Sequence, residues 1–225
     1  MRLTIIVPVL NEADRIEAHL RALEPLRSRG VEIVVVDGGS ADASARIAAP
    51  FADRLLQAPG GRAAQMNAGA RAARSDALLF LHADTELPQA AERLVLDALG
   101  HAHWGRFDVR IESRHRLLAV VARMMNLRSR LTGIATGDQA IFVRRSAFED
   151  AGGFPPLPLM EDIAFSAQLK RFGRPACLRE RVVTSGRRWE RQGVARTIVL
   201  MWRLRFAYWL GADPAELARR YRQPV

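Results

Sequence analysis

His82, Asp84 and Glu86 fall within five residues at the end of an apolar run, in the segment ALLFLHADTELP of residues 77–88. A run suited to a protein core that ends in ionisable groups is how a buried strand delivers a carboxylate to a site, where it can accept hydrogen bonds or protons. Two other apolar runs end the same way. IIVPVLNE, residues 5–12, closes on Asn11 and Glu12, and VVVDGGSAD, residues 34–42, passes from Asp37 through two glycines to Asp42. A further acidic pair, Glu161 and Asp162, follows the Pro-rich PPLPLM and opens a helix. A helix N-terminus favours negative charge, so a structural cap is the plain reading of that pair.

The elements that must position these residues follow from periodicity. The spacing predicts strands over residues 3–7, 31–36, 53–57 and 77–81, alternating with helices over 12–29, 44–49, 62–74 and 88–99. Such alternation implies a largely parallel sheet covered on both faces. Beyond residue 100 the rhythm changes, with strands expected at 107–112 and 139–143 and helices at 115–131, 161–172, 194–210 and from 214. No linker or repeat interrupts the chain, so one continuous domain is expected over residues 1–225. In an open α/β sheet ligands bind beyond the carboxyl ends of the strands. Asn11, Glu12, Asp37, Asp42, His82 and Asp84 all fall there. Any one alone reads as a turn or cap residue, Asp42 above all; their coincidence at three strand exits argues for a site.

Specific residues exclude the commoner nucleotide folds. A dinucleotide fold wants GxGxxG after the first strand, and that turn is PVLNE. VVVDGGSAD places its acid before the glycines and lacks the G-x-G spacing of a methyltransferase. There is no GxxxxGK[ST], and Lys170 is the only lysine. The single cysteine, Cys177, excludes an intramolecular disulfide, and no Cys or Cys/His set suggests structural zinc. The N-terminal run is too short for a secretory signal, so a cytoplasmic protein is expected.

The motifs IIVPVLNEADRI, VVVDGGSADAS, GGRAAQMNAGARAA, LLFLHADTELP, GDQAIFVRRSAFEDAGGF and MEDIAFSAQLKRFG, in this order, resemble a family 2 glycosyltransferase. SGRRWERQG and YWLGADPAELARRYR resemble a small soluble bacterial subgroup of that family, some members of which have been linked to arsenosugar pathways. The resemblance implies an α/β fold of the GT-A type, a Rossmann-like single domain with a mostly parallel mixed sheet flanked by helices. Residues 1–100 would form the nucleotide-sugar-binding half, 101–190 the acceptor-binding half and 191–225 a basic helical segment. It implies an inverting enzyme using a nucleotide-diphospho-sugar, UDP-linked, and a hydroxyl acceptor, either a small molecule or lipid-linked.

Carried over residue by residue, the resemblance places Pro8, Asn11 and Glu12 in the nucleotide pocket, with Asp37 accepting from the base. Gly38 and Gly39 permit close approach of backbone, and Arg62 faces the phosphates or is a solvated helix-start residue. Asp84 matches the last acid of the family's metal motif, which implies Mn²⁺ or Mg²⁺ bridging the diphosphate. His82 replaces the first acid. It is expected as an imidazole hydrogen-bonded in the loop, with metal ligation the alternative, because such cations prefer oxygen. Asp162 matches the general base, while Glu161 and Asp138 would contact the acceptor. Arg188 and Trp189 stand in SGRRW, similar to the QxxRW of processive relatives but with Ser185 in place of Gln, which argues against a polymer-extruding synthase.

Net charge is +10, and its location is uneven. Residues 1–170 carry 21 basic and 20 acidic side chains, whereas 171–225 carry 13 and 4. Such asymmetry attracts phosphorylated ligands or anionic membrane, or reflects a solvated surface in a chain whose basic residues are 33 arginines and one lysine. No nucleic-acid partner is expected. Val199, Trp202, Phe206 and Trp209 share a helical face expected to pack on the domain. Peripheral contact with an anionic inner-membrane face is the alternative. Two other functions remain open: a non-catalytic or regulatory nucleotide-sugar binder, and a basic membrane-surface protein with a vestigial pocket.

Overall fold

Leu3–Val9 (β1) is buried at all seven positions, which a strand achieves only when helices cover both faces of its sheet. In this computed structural model, which describes residues 1–222 apart from the side chains of Arg188 and Arg222, that is the arrangement. Ile16–Arg27 (α1) turns Ile16, Leu20, Leu23 and Leu26 onto Leu3, Ile5, Val7 and Val9. On the opposite face Arg62–Ala72 (α3) sets Ala63, Met66 and Ala70 against Ile6. The approach is close because Gly69 lacks a side chain: a Cβ there would lie 2.4 Å from Ile6 Cγ2.

β1 pairs in parallel with Glu32–Asp37 (β2) and Ala77–Phe80 (β4), and β2 with Arg54–Gln57 (β3). Past β4 the sheet becomes mixed. Phe142–Arg144 (β7) runs antiparallel to β4 and to Trp104–Glu112 (β6), which pairs in parallel with Ala176–Ser185 (β8). The tip of β8 pairs antiparallel with Thr85–Glu86 (β5), giving eight strands in the order β3-β2-β1-β4-β7-β6-β8-β5. Ser44–Ala48 (α2), Ala91–His101 (α4), Arg116–Thr132 (α5) and Arg145–Ala151 (α6) flank it, with Glu161–Leu169 (α7), Arg187–Gln192 (α8), Val194–Trp209 (α9) and Pro214–Arg222 (α10).

Three expectations need correction. The strand expected at 139–143 begins only at Phe142, because Thr136 and Gln139 close a capping box around the turn Gly137–Gln139. β8 has no counterpart in the sequence reading; its middle residues Arg179, Glu180 and Arg181 are exposed, and backbone pairing with β6 rather than an apolar pattern holds it. The face of α9 expected to pack is the one turned outward: Val199, Trp202, Phe206 and Trp209 are 55%, 67%, 60% and 78% exposed. Leu204, on the opposite side, seats α9 on Met160 and Leu217. Among the described residues no helix is long and apolar enough to cross a membrane.

Candidate active site

The turns after β1 and β2 are tied to each other. Asn11, at φ 54°, accepts on its side-chain oxygen from the Ala41 amide at 2.9 Å, while its own amide donates to Ser40 Oγ at 2.9 Å. The Glu12 amide donates to Ser44 Oγ at 2.7 Å, and Asp42 accepts from the Ala13 and Ser44 amides. Below them Gln65, buried on α3, donates to the carbonyls of Val9 and Val36, both at 2.8 Å. Gly38 lies over it, where a Cβ would meet Gln65 Nε2 at 3.0 Å. Asp37 is 1% exposed and accepts from the amides of Gly39 and Ser40 at 3.0 Å and from Ser40 Oγ. Pro8 lies in the β1 ladder opposite Val36.

The exit of β4 meets the second half of the chain. His82 Nδ1 lies 3.3 Å from Asp138 Oδ1, and its ring covers Gly137, where a Cβ would fall 2.4 Å from His82 Cε1 and Nε2. Asp162 accepts from the Gly137 amide at 2.8 Å, and from the Ile163 amide at 2.7 Å. One short turn therefore links the HAD segment to the acids of α7. Burial resists ionisation of Asp138, but the hydrogen bond from His82 and the charges of His82, Arg62 and Arg205 outweigh it and hold the carboxyl below its usual range.

α7 starts abruptly. Met160, at φ 67°, is buried against Leu204 and Leu217, and this left-handed residue aims the next two side chains inward. Glu161 is buried, and burial together with the neighbouring Asp162 charge raises its pKa; Arg62, at 3.8 Å from Glu161 Oε1, works against that rise. The Arg62 side chain is 53% exposed, free to reach a ligand over the strand exits.

Asp84 is exposed on the far side of the same loop. Burial and the facing Asp84 charge raise the Glu12 pKa, with Arg187 and Arg15 pulling it down. A carboxyl that faces a second carboxylate in this way suits a shared cation. Among the described residues no group of three or more His, Cys, Asp or Glu side chains is close enough to hold a metal alone. That donor set fits a Mg²⁺- or Mn²⁺-type ion completed by substrate phosphate and water.

Trp189, on α8, and Asp138 line one cavity of about 810 Å³ that opens between α5 and α9. The side chain of Arg188 lies outside the described residues. Arg128 and Arg205, at the inner end of this cavity, were not anticipated from sequence, nor was Gln65. A signal for Arg128 exists in hindsight. It follows Met125 by three residues, on the inward face that also carries Leu118, Ala122 and Ser129.

Residues 4–150, well over half of the chain, match the family model described as glycosyl transferase family 2. The chain belongs to glycosyl transferase family 2. Solved structures show the GT-A fold. A 1–349 fragment of TarS from S. aureus, in complex with UDP-GlcNAc, superposes with a TM-score of 0.66 at 18% identity, over 82% of this chain and 58% of that one. The mannosyltransferase PcManGT from Pyrobaculum calidifontis, in complex with GDP-Man and Mn²⁺, gives 0.63 at 23% identity, over 98% and 68%. The undecaprenyl-phosphate 4-deoxy-4-formamido-L-arabinose transferase of Pseudomonas fluorescens is 30% identical over 160 residues, 63% of this chain. This family 2 chain spans less than half, 45%, of that curated relative's length.

Proposed function

We propose that this family 2 chain transfers a sugar from a nucleotide-diphospho-sugar, UDP-linked, to an acceptor hydroxyl in a single displacement with inversion, using a divalent cation. The observation that carries this reading is the Gly137–Asp138 turn, which joins His82, two residues from Asp84, to the Asp162 carboxylate of α7. Donor-side and acceptor-side acids then face one reacting centre. Residues 1–100 hold the donor and 101–190 the acceptor.

Asp37 keeps three hydrogen bonds within its own turn, which leaves one of a carboxylate's roughly four acceptor positions for a base imide. Pro8, Asn11, Gly38 and Gly39 form the rim of that pocket, and Glu12 lies beside Asp84. When bound, the cation neutralises charge on the departing diphosphate without proton transfer; Asp84 would hold it, with Glu12 or His82 adjacent. Arg62 offers its fork of donors to phosphate oxygens. Asp162 takes the acceptor hydroxyl proton, and the backbone amides of Gly137 and Ile163 fix the carboxylate for that step. Glu161, Asp138 and Trp189 border the acceptor.

A thermal-shift panel of UDP- and GDP-sugars, with and without Mn²⁺, tests the donor side. A UDP-sugar should raise the melting temperature only with Mn²⁺, and Asp84→Ala should abolish the rise. A rise independent of metal would point to a binder without diphosphate activation. Asp162→Asn should lower transfer by about 10²- to 10⁴-fold, the usual contribution of a general base, while leaving the donor-induced shift in place.

A further inference from the structure

The cavity between α5 and α9 is apolar along its length and cationic at its inner end. Val121 and Met124 of α5, Ile198, Trp202 and Phe206 of α9 and Trp189 of α8 form its walls. Its volume, about 810 Å³, is that of a ligand cleft rather than a packing fault. At the inner end Arg128 and Arg205 stand beside Asp138. Nε and Nη2 of Arg128 and Nε of Arg205 are buried without a hydrogen-bond partner. Buried guanidinium nitrogens left unpaired are costly, and two like charges side by side add to the cost. Burial, and after it the Arg205 charge, lowers the Arg128 pKa to about 10.

We propose that this groove is the acceptor site and takes a phosphorylated amphiphile, its anionic head on Arg128 and Arg205 and its hydrocarbon chain between α5 and α9. The two guanidiniums offer forked donors that match phosphate oxygens. The P–OH of this head is the acceptor hydroxyl. Asp138 lines the groove next to Gly137, whose amide donates to Asp162. Asp162 takes the P–OH proton as the phosphate oxygen bonds the anomeric carbon and the nucleoside diphosphate leaves. A neutral sugar would leave the arginine nitrogens unpaired, and a free anion would leave the apolar walls wet. An amphiphile satisfies both. This inference rests on the glycosyl-transfer reading for its chemistry, but binding can be measured separately.

Farnesyl phosphate, farnesol and inorganic phosphate, titrated below the micellar range against the full chain, serve as probes, with tryptophan fluorescence as readout. Farnesyl phosphate should bind at least tenfold tighter than farnesol and should not be displaced by equimolar inorganic phosphate. Arg128→Gln and Arg205→Gln should each erase that preference while leaving farnesol binding as it was, and Met124→Glu should weaken both lipids. Matching near-UV spectra establish that the variants fold. Equal binding of farnesyl phosphate and farnesol, an unchanged preference in both arginine variants, or a groove closed by a second copy of the chain in sedimentation would each overturn the proposal. If nucleotide-sugars shift the melting temperature and farnesyl phosphate does not bind, the groove assignment fails alone. If farnesyl phosphate binds with the stated preference and no nucleotide-sugar shifts the protein, the transfer reading fails and the anionic-lipid site stands.

Discussion

Glu161 sits buried at the start of α7 beside a second acid, with Arg62 3.8 Å away, and its pKa is raised by burial first and by Asp162 second. A carboxyl whose native pKa exceeds its unfolded value binds protons that the unfolded chain releases. It therefore adds stability below the unfolded carboxylate range and loses that contribution as pH rises through the native value. Glu161→Gln should melt above wild type at pH 7–8, and the gap should close toward pH 4.5; about 1 kcal/mol moves a chain of this size by roughly 2–4 °C. A gap constant between pH 5 and pH 8 would show that charge is not its cause. Gly137 makes a second point at this scale. The Cβ of Gly137→Ala would drive His82 off Asp138, so transfer should fall more than about tenfold in a protein that still melts cooperatively, at a stability cost of roughly 1–3 kcal/mol. Asp84 and Asp162 stand out as candidates in the sequence because they are acids at the end of an apolar run and at the start of a helix. Gln65 does not, since a glutamine within an Ala-rich helix gives no sign that two strand carbonyls will be its partners.

α5 shows how one element sets the shape of the groove. Its grip on the sheet lies at the β6 irregularity between Phe107 and Asp108, where ladder pairing shifts. There Asn126 accepts from the Val109 amide at 2.9 Å and donates to the Val109 carbonyl at 3.0 Å, replacing a strand partner. Arg106, fully buried, donates to Ser129 Oγ at 3.0 Å and pairs with Asp108, which Arg130 also reaches at 2.8 Å. Asn126→Ala should cost roughly 1–3 kcal/mol, the penalty of leaving buried backbone groups unsatisfied, measured by urea unfolding. It should also weaken farnesyl phosphate binding, because α5 forms one wall. The βαβ alternation of the first half was legible because β1, β2 and β4 are largely apolar runs, β3 (RLLQ) being the exception. β8 was not: ACLRERVVTS carries its polar residues mid-strand, and pairing with β6 and β5 makes it a strand.

For the whole molecule, charge and apolar surface coincide. The 13 basic and 4 acidic side chains of residues 171–225 belong largely to β8 and the C-terminal helices, of which α8 and α9 line the groove. The same side exposes Leu117, Val120, Met124 and Leu127 of α5 and Val199, Trp202, Phe206 and Trp209 of α9. Scattered apolar residues need no explanation, whereas two adjacent stripes amid arginines form the kind of patch that meets another surface. The hydrophobic period was visible in the sequence, but its direction was not, because a helical face looks the same whether it turns to a core or away from one. An amphiphilic acceptor would be drawn from a bilayer, and anionic headgroups would attract the arginines at about 1 kcal/mol for each one near the surface. The full chain should therefore sediment with vesicles containing phosphatidylglycerol, less with phosphatidylcholine alone, and progressively less as salt shortens the screening length. Trp209→Asp, on the exposed stripe and outside the groove lining, should lower vesicle binding several-fold while farnesyl phosphate binding persists. Equal sedimentation with both lipids at all salt concentrations, or no effect of Trp209→Asp, would mean that this face meets something other than a membrane.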